Sequence, residues 1–366
     1  MTTIDSTEAL DVIVVGGGQA GLAIAYHLKR QGARFLVLDA GSEVGQSWRT
    51  RWDSLRLFTP AQYDALPGVP FPGRPDEYPT KDMVADYLRD YAAQFALPVR
   101  LGCPVDRVEQ VAGGYVVHTG HGRLRASQVV IATGPFQAPA IPSLAAALSG
   151  DVVQLHSATY RRASDIPAGP VVVVGAGNSG RQIAEELAAT HDVTLSVGTA
   201  PPQLPQRFLG RDLFGWLTRM GLMTKTIESR LARRMRDRGD LVIGTPLRRL
   251  GRARVKIRPR VASITADEVR FQDESAVRAA AVVWATGFRA DYAWVDIPGA
   301  FDAEGRPHHV RGISPALGLA FVGLPWQHTR GSALLGFVRH DAAWVAAQLG
   351  AQRHQQIEDP LVRPGR

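Results

Sequence analysis

Two stretches of this chain, 159 residues apart, repeat one pattern. Asp11-Val-Ile-Val-Val15 leads into Gly16-Gly-Gly18-Gln19-Ala20-Gly21 and then the apolar-periodic run Leu22 to Gln31. Val171-Val-Val-Val174 leads into Gly175-Ala-Gly177-Asn178-Ser179-Gly180 and then Arg181 to Ala189. Each predicts a buried strand, a tight turn and a helix. In such a unit the first glycine (Gly16, Gly175) permits the turn and the second (Gly18, Gly177) lets backbone approach a pyrophosphate. The third (Gly21, Gly180) lets the helix lie close on the strand. Free N–H groups and a partial positive charge at the helix start then suit a phosphate. One GxGxxG alone often marks an ordinary turn. Two, each set between a strand and a helix, predict two dinucleotide sites.

A second repeat supports this. Gln128-Val-Val-Ile-Ala-Thr133-Gly134 corresponds to Ala281-Val-Val-Trp-Ala-Thr286-Gly287, and each follows a stretch of hairpin-like alternation, Gly114 to Leu124 and Val261 to Phe271. After Gly287 there is no third glycine turn, so Phe321-Val-Gly-Leu and the apolar-periodic stretch Ser332 to Leu349 are expected to return and complete the first unit. The expected order is an FAD-binding part over 1–155, a nicotinamide-binding domain over 156–285 and the rest of the FAD domain over 286–366.

The strand after the first turn ends in Phe35-Leu-Val-Leu-Asp39, which puts a carboxylate where an FAD ribose 2′-hydroxyl is read. The same offset in the second unit falls on Gly198, so a 2′-phosphate there meets no carboxylate. NADPH is therefore expected, with NADH tolerated. The sequence shows no basic residue beside Gly198, and Arg207 and Arg211 are the nearest arginines expected to reach a phosphate.

Charge is uneven. The chain of 366 residues carries 42 Lys and Arg against 34 Asp and Glu, a net +8, yet Gln203 to Arg260 alone holds sixteen basic and four acidic residues. Leu213, Trp216, Leu217, Met220, Met223, Ile227, Leu231 and Met235 form an apolar stripe through that segment at three- and four-residue steps. Three readings compete: an amphipathic helix packed on the nicotinamide domain, a wall of a substrate tunnel, and peripheral contact with an anionic membrane. Without groove-reading or stacking motifs beside the charge, nucleic acid is not an expected partner. Cys103 is the single cysteine, which excludes a disulfide framework and a two-cysteine redox relay and fits a reducing cytoplasm. The N-terminus has no basic n-region of a secretory signal, no apolar run is long enough to span a bilayer, and no metal-ligand set is expected.

At these residues the chain resembles the bacterial flavin-containing monooxygenases, including the group labelled flavoproteins involved in potassium transport. More distantly it is similar to plant indole-pyruvate monooxygenases and Baeyer–Villiger monooxygenases. The likeness rests on Gly16–Gly21, Val44-Gly-Gln-Ser-Trp48-Arg49-Thr-Arg-Trp52, the two Ala-Thr-Gly turns and Gly175–Gly180, and runs over nearly the whole chain. It implies an α/β fold of two Rossmann-like domains, for FAD and NAD(P), on the glutathione reductase plan without that enzyme's dimerisation domain. It places Gln19, Ala20, Ala40, Trp48, Arg49, Thr133 and Gly134 along the FAD. Asn178, Ser179, Gly198, Thr286 and Gly287 fall along the nicotinamide dinucleotide, and Gln327 lies near the flavin.

The chemistry implied is transfer of one oxygen from a C4a-peroxyflavin to a small-molecule heteroatom or ketone, with O2 as co-substrate. The flavin carries that step, so no built-in acid or nucleophile is required and no catalytic residue is assigned. His156 and Arg330 are the only candidates. The family signature has Phe six residues and Gly four residues before a His; before His156 those slots hold Gly150 and Val152, which puts the oxygenation in doubt. Arg330 stands before Ser332, the expected start of a helix whose N-terminus would face the flavin. An NAD(P)H-dependent flavin reductase or oxidase, and a non-catalytic redox sensor regulating a transporter, are the competing functions. A disulfide reductase is excluded by the lone cysteine.

Overall fold

The computed structural model describes residues 10–199, 202–239 and 241–358. Most of the N-terminal segment weighed above as a signal lies outside them. Two sheets carry the chain. The first runs in the order Val295–Asp296, Val105–Val111, Gly114–Thr119, Gly122–Ile131, Leu10–Val15, Phe35–Leu38, Val99–Arg100, and Leu319–Phe321 also pairs with Gly122–Ile131. The second is parallel throughout, in the order Lys256–Arg258, Asp192–Ser196, Pro170–Val174, Ala281–Trp284, Val153–His156.

The repeated valine runs sit centrally in their sheets. Val12, Val14, Val171, Val172 and Val173 are wholly buried, because a parallel strand covered on both faces needs apolar side chains on both sides. The expected hairpins are present: Val105–Val111, Gly114–Thr119 and Gly122–Ile131 pair antiparallel, as do Val261–Thr265, Glu268–Phe271 and Ala276–Arg278. The long strand Gly122–Ile131 then turns its second half to parallel pairing with Leu10–Val15. The return after Gly287 is also present, since Val295–Asp296 and Leu319–Phe321 rejoin the first sheet. Helix Val338–Glu358 lies on helix Gln19–Arg30, burying Val338, Ala342, Val345, Ala346 and Leu349 along one stripe.

Three expectations need correction. Val153–His156 belongs to the second sheet, paired with Ala281–Trp284, so the first crossing lies before residue 153 rather than at 155. The last helix begins at Val338, not Ser332, whose hydroxyl instead accepts hydrogen bonds from the His328 and Thr329 amides. Such local side-chain bonds compete with helix, and Gly336 is pressed so close to Tyr63 that a Cβ there would stand 2.1 Å from the Tyr63 carbonyl oxygen. The apolar stripe is not one helix but two, Leu213–Arg219 and Arg230–Asp237, broken at Gly221, which has φ of +65°. Leu213, Leu217 and Met223 of the stripe, together with Phe214, pack on Phe58, Tyr63 and Phe337, side chains from the first sheet's portion of the chain, as well as on Leu241 and Ile243.

Candidate functional site: two glycine cradles

The two glycine turns are built alike. Gly16 has φ of +104° and a Cβ there would meet the Ala132 carbonyl oxygen at 2.7 Å; Gly175 has φ of +108° and would meet that of Ala285 at 2.3 Å. Each Ala-Thr-Gly turn is thus butted against its own glycine turn. Gly21 and Gly180 are closed just as firmly, with Cβ positions 1.8 and 1.9 Å from the carbonyl oxygens of Gly16 and Gly175. Gly18 and Gly177 differ, because nothing lies within 4 Å of a Cβ at either. Open space at the second glycine, beside a helix start with free N–H groups, is the room a pyrophosphate needs.

Beside the first turn lies a cleft of about 360 Å³, lined by Gly16, Asp39, Ala40, Cys103, Thr133 and Trp294 among others. Asp39 is held in place by the Gly17 amide, which donates to one carboxylate oxygen at 2.6 Å, and the Gly41 amide, which donates to the other at 2.7 Å. This fixes a carboxylate, half-buried, where a ribose hydroxyl can donate. Trp48 donates its indole N–H to Gln19 at 3.2 Å, tying the segment after Val44 to the first residue of the cradle's helix. Arg49 turns away: its guanidinium pairs with Asp82 and Asp86 of helix Lys81–Gln94 and with Glu43. These ion pairs make it an anchor between two segments.

At the second turn the reading that no basic residue stands beside Gly198 is overturned. The Arg260 guanidinium lies 3.3 Å from a Cβ on Gly198 and donates to Thr199 at 3.4 Å. Strand Lys256–Arg258 runs parallel to Asp192–Ser196, so the loops leaving both strands emerge side by side. Arg207 instead pairs with Asp76, and Arg211 lies over the ring of Trp216. Asn178 uses its side chain on Leu241 and Ile243, and the fully buried Arg181 binds the carbonyls of Ala176 and Thr245 and the Gln203 side chain. The segment between strands Asp192–Ser196 and Lys256–Arg258 is therefore fastened to the helix that opens at Gly177.

His156 is held at both ring nitrogens. One ring nitrogen faces the Gly287 carbonyl at 2.9 Å and the other accepts the Ala158 amide, while Phe288 packs edge-on against the ring. Burial lowers its pKa, outweighing the Gly287 bond, so the imidazole is neutral and tethers the return crossing. Thr286 donates to the Ala140 carbonyl and Thr133 accepts from Gln137. Both crossings are thus cross-linked, and Ala138–Pro139 pairs with Phe288–Arg289 between them. Gln327 is buried and spends its amide on Leu324 and Arg311, and the Arg330 guanidinium lies 6.0 Å over Trp326, so neither is aimed by these contacts as a reacting group.

Asp64 carries no motif that marks it in the sequence. It is wholly buried; one oxygen accepts from Thr59 at 2.6 Å and the other has no partner among the described residues. Burial pushes its carboxyl up to about 8, against the Thr59 bond and with a further push from Asp212. Asp212, also buried and raised, receives the Tyr78 hydroxyl at 2.6 Å and the Phe214 amide at 2.6 Å. Around them Phe58, Tyr63, Phe214 and Phe337 form one aromatic wall.

Comparison with known proteins agrees with this geometry. Residues 13–206 match the family model described as pyridine nucleotide-disulphide oxidoreductase. The CzcO-like oxidoreductase of Geobacillus kaustophilus is 43% identical over 92% of this chain and 97% of its own. The indole-3-pyruvate monooxygenase YUCCA9 of Arabidopsis thaliana, its activity given as probable, is 27% identical over 81% of this chain and 79% of its own. The structure of a flavin-containing monooxygenase from Stenotrophomonas maltophilia is 27% identical, covers 94% of this chain and 99% of its own, and superposes with a TM-score of 0.79. The chain belongs to the pyridine nucleotide-disulphide oxidoreductase family, as a flavin-dependent oxidoreductase whose kin include the flavin monooxygenases.

Proposed function

We propose that this chain is an FAD-dependent, NADPH-using monooxygenase that passes one atom of O2 to the heteroatom or ketone of a small molecule. The observation that carries the reading is the pair of matched cradles, each closed at its first and third glycines and open at its second. They occur in a chain that spans nearly the full length of a flavin-containing monooxygenase. FAD would be held by Gly16, Gly18, Gln19, Ala20, Gly21, Asp39, Ala40, Trp48, Thr133 and Gly134. The nicotinamide dinucleotide would be held by Gly175, Gly177, Ser179, Gly180 and Gly198, with Arg260 facing a 2′-phosphate.

When bound, FAD supplies the redox chemistry and the activation of O2. The chain's own residues would bind the pyrophosphates through backbone N–H groups, with Asp39 accepting from the FAD ribose and Arg260 facing the 2′-phosphate. His156 keeps the return crossing in register.

The test is isotopic: the FAD-loaded protein is given NADPH, ¹⁸O2 and a panel of sulfides, amines and ketones. One labelled oxygen in the product per NADPH consumed, the other leaving as water, is expected. Hydrogen peroxide equal to NADPH consumed, with no labelled product, would replace the reading by a flavin reductase or oxidase. Nucleotide binding without steady-state turnover would replace it by a redox sensor.

A further inference from the structure

The segment that joins strands Asp192–Ser196 and Lys256–Arg258 of the parallel sheet carries two exposed features that the cofactor sites do not use. The first is apolar. Arg207–Phe208 and Arg211–Asp212 pair as a hairpin whose turn is Leu209-Gly210. Leu209 is 75% exposed and has φ of +49°, and Phe208 is 56% exposed. A leucine held in the left-handed region is unfavourable, and here its side chain is left facing solvent. The Trp216 indole donates to the Phe208 carbonyl at 2.9 Å, so helix Leu213–Arg219 stands directly behind the hairpin. That helix buries Leu213, Phe214 and Leu217 and ends in exposed Arg219 and Met220.

The second feature is cationic. Helix Arg230–Asp237 buries only Ala232, leaving Leu231 exposed among arginines. Among the described residues Arg211, Arg219, Arg230, Arg233, Arg234 and Arg238 have no carboxylate in ion-pair range, whereas Arg207 and Arg236 do. The chain outside 203–260 is net acidic, so this charge is concentrated where the apolar tip is. The base is fixed to the body: Tyr78 binds Asp212, and the Ile227 amide donates to the His328 carbonyl at 2.9 Å.

We propose that this cationic, apolar-tipped insertion docks the protein on the surface of an anionic lipid bilayer, with Phe208 and Leu209 entering the headgroup layer. Charge complementarity selects an anionic surface, and the apolar tip selects lipid over a soluble polyanion, which gives Leu209 nothing to be buried in. Stable surface binding takes two such signals together, and the insertion supplies both. The inference does not depend on which reaction the flavin site performs.

The experiment is co-sedimentation of the FAD-loaded full chain with phosphatidylcholine vesicles, with and without phosphatidylglycerol, and separately its binding to heparin and duplex DNA. Binding only to the anionic vesicles, weakening with salt, is expected. Leu209→Glu and the double change Arg233→Glu with Arg234→Glu each lower that binding about tenfold or more at unchanged melting temperature. Lipids brominated in the acyl chain quench Trp216 emission, a component lost in Trp216→Phe. Absence of binding to anionic vesicles, or equal binding by Leu209→Glu, overturns the proposal. Tight heparin or DNA binding without vesicle binding overturns it in favour of a polyanion.

Discussion

The guanidinium of Arg260 lies against Gly198, 3.3 Å from where a Cβ would stand, although 62 residues separate them in sequence. Gly198 follows the strand Asp192–Ser196, and on the proposed reading it stands where the adenosine ribose of the nicotinamide dinucleotide would be read, with Arg260 there instead of a carboxylate. Charge-assisted bonds to phosphate are strong, so Arg260→Ala is expected to raise the KM for NADPH roughly 10- to 100-fold. The KM for NADH should hardly move. Steady-state oxidation of both nucleotides measures this, and an unchanged KM for NADPH would remove Arg260 from the site.

The cradles predict two opposite outcomes from neighbouring glycines. Gly18 and Gly177 have extended backbone, with φ of −75° and −71°, and empty space where a side chain would go. Gly18→Val should therefore fold, melt near the parent temperature and purify colourless, while Gly177→Val should stay yellow but fail to be reduced by NADPH. At Gly180 the added Cβ would stand 1.9 Å from the Gly175 carbonyl oxygen, which cannot move without opening the turn. Gly180→Ala should cost about 3 kcal/mol or more in stability. Flavin absorbance and thermal melts distinguish the two classes; a colourless but unfolded Gly18→Val would count against the cradle.

The glycine turns, their strands and the hairpins were legible because each is a local rule: a buried parallel strand needs a branched apolar run, and Gly16 and Gly175 need positive φ. The return to the first sheet was legible from a deficit, since Leu319–Phe321 had no glycine turn of its own. What could not be read depends on distant packing. Arg260 reaches Gly198 only because a long insertion ends in a strand parallel to the one before it. Asp64 sits in an unremarkable Tyr-Asp-Ala stretch, and only the aromatic wall folded over it makes it buried. Ser332 looked like a helix cap because its neighbours are apolar, whereas the contact of Gly336 with Tyr63 delays the helix to Val338.

His156 is expected to matter for stability rather than for chemistry. Its neutral ring bridges the Ala158 amide and the Gly287 carbonyl. His156→Ala should cost about 1–3 kcal/mol at pH 8 and leave flavin reduction by NADPH largely intact. Burial sets its folded pKa below the ordinary 6.5, so the stability it confers is present above the unfolded value and is lost as pH falls through the window below it. The difference between parent and variant in urea unfolding should therefore shrink toward pH 5. A variant that is fully stable but cannot be reduced would return His156 to the reaction.

Asp64 gives the opposite slope. Its carboxyl is raised from 3.8 to about 8 by burial, so the folded protein holds a proton there that the unfolded chain has released. Between those two values the folded state binds more protons than the unfolded one, and this group's contribution to stability falls as pH rises, by up to about 1.4 kcal/mol per pH unit. The loss continues until the folded carboxyl itself ionises beside Asp212. Asp64→Asn keeps a neutral group that can still pair with Thr59 and removes the titration. It should stabilise the protein at pH 8 relative to the parent and flatten the decline between pH 5 and pH 8. Urea unfolding across that range reads it directly; parallel curves for parent and variant would mean that Asp64 is ionised in the folded protein, with a donor in place for its second oxygen.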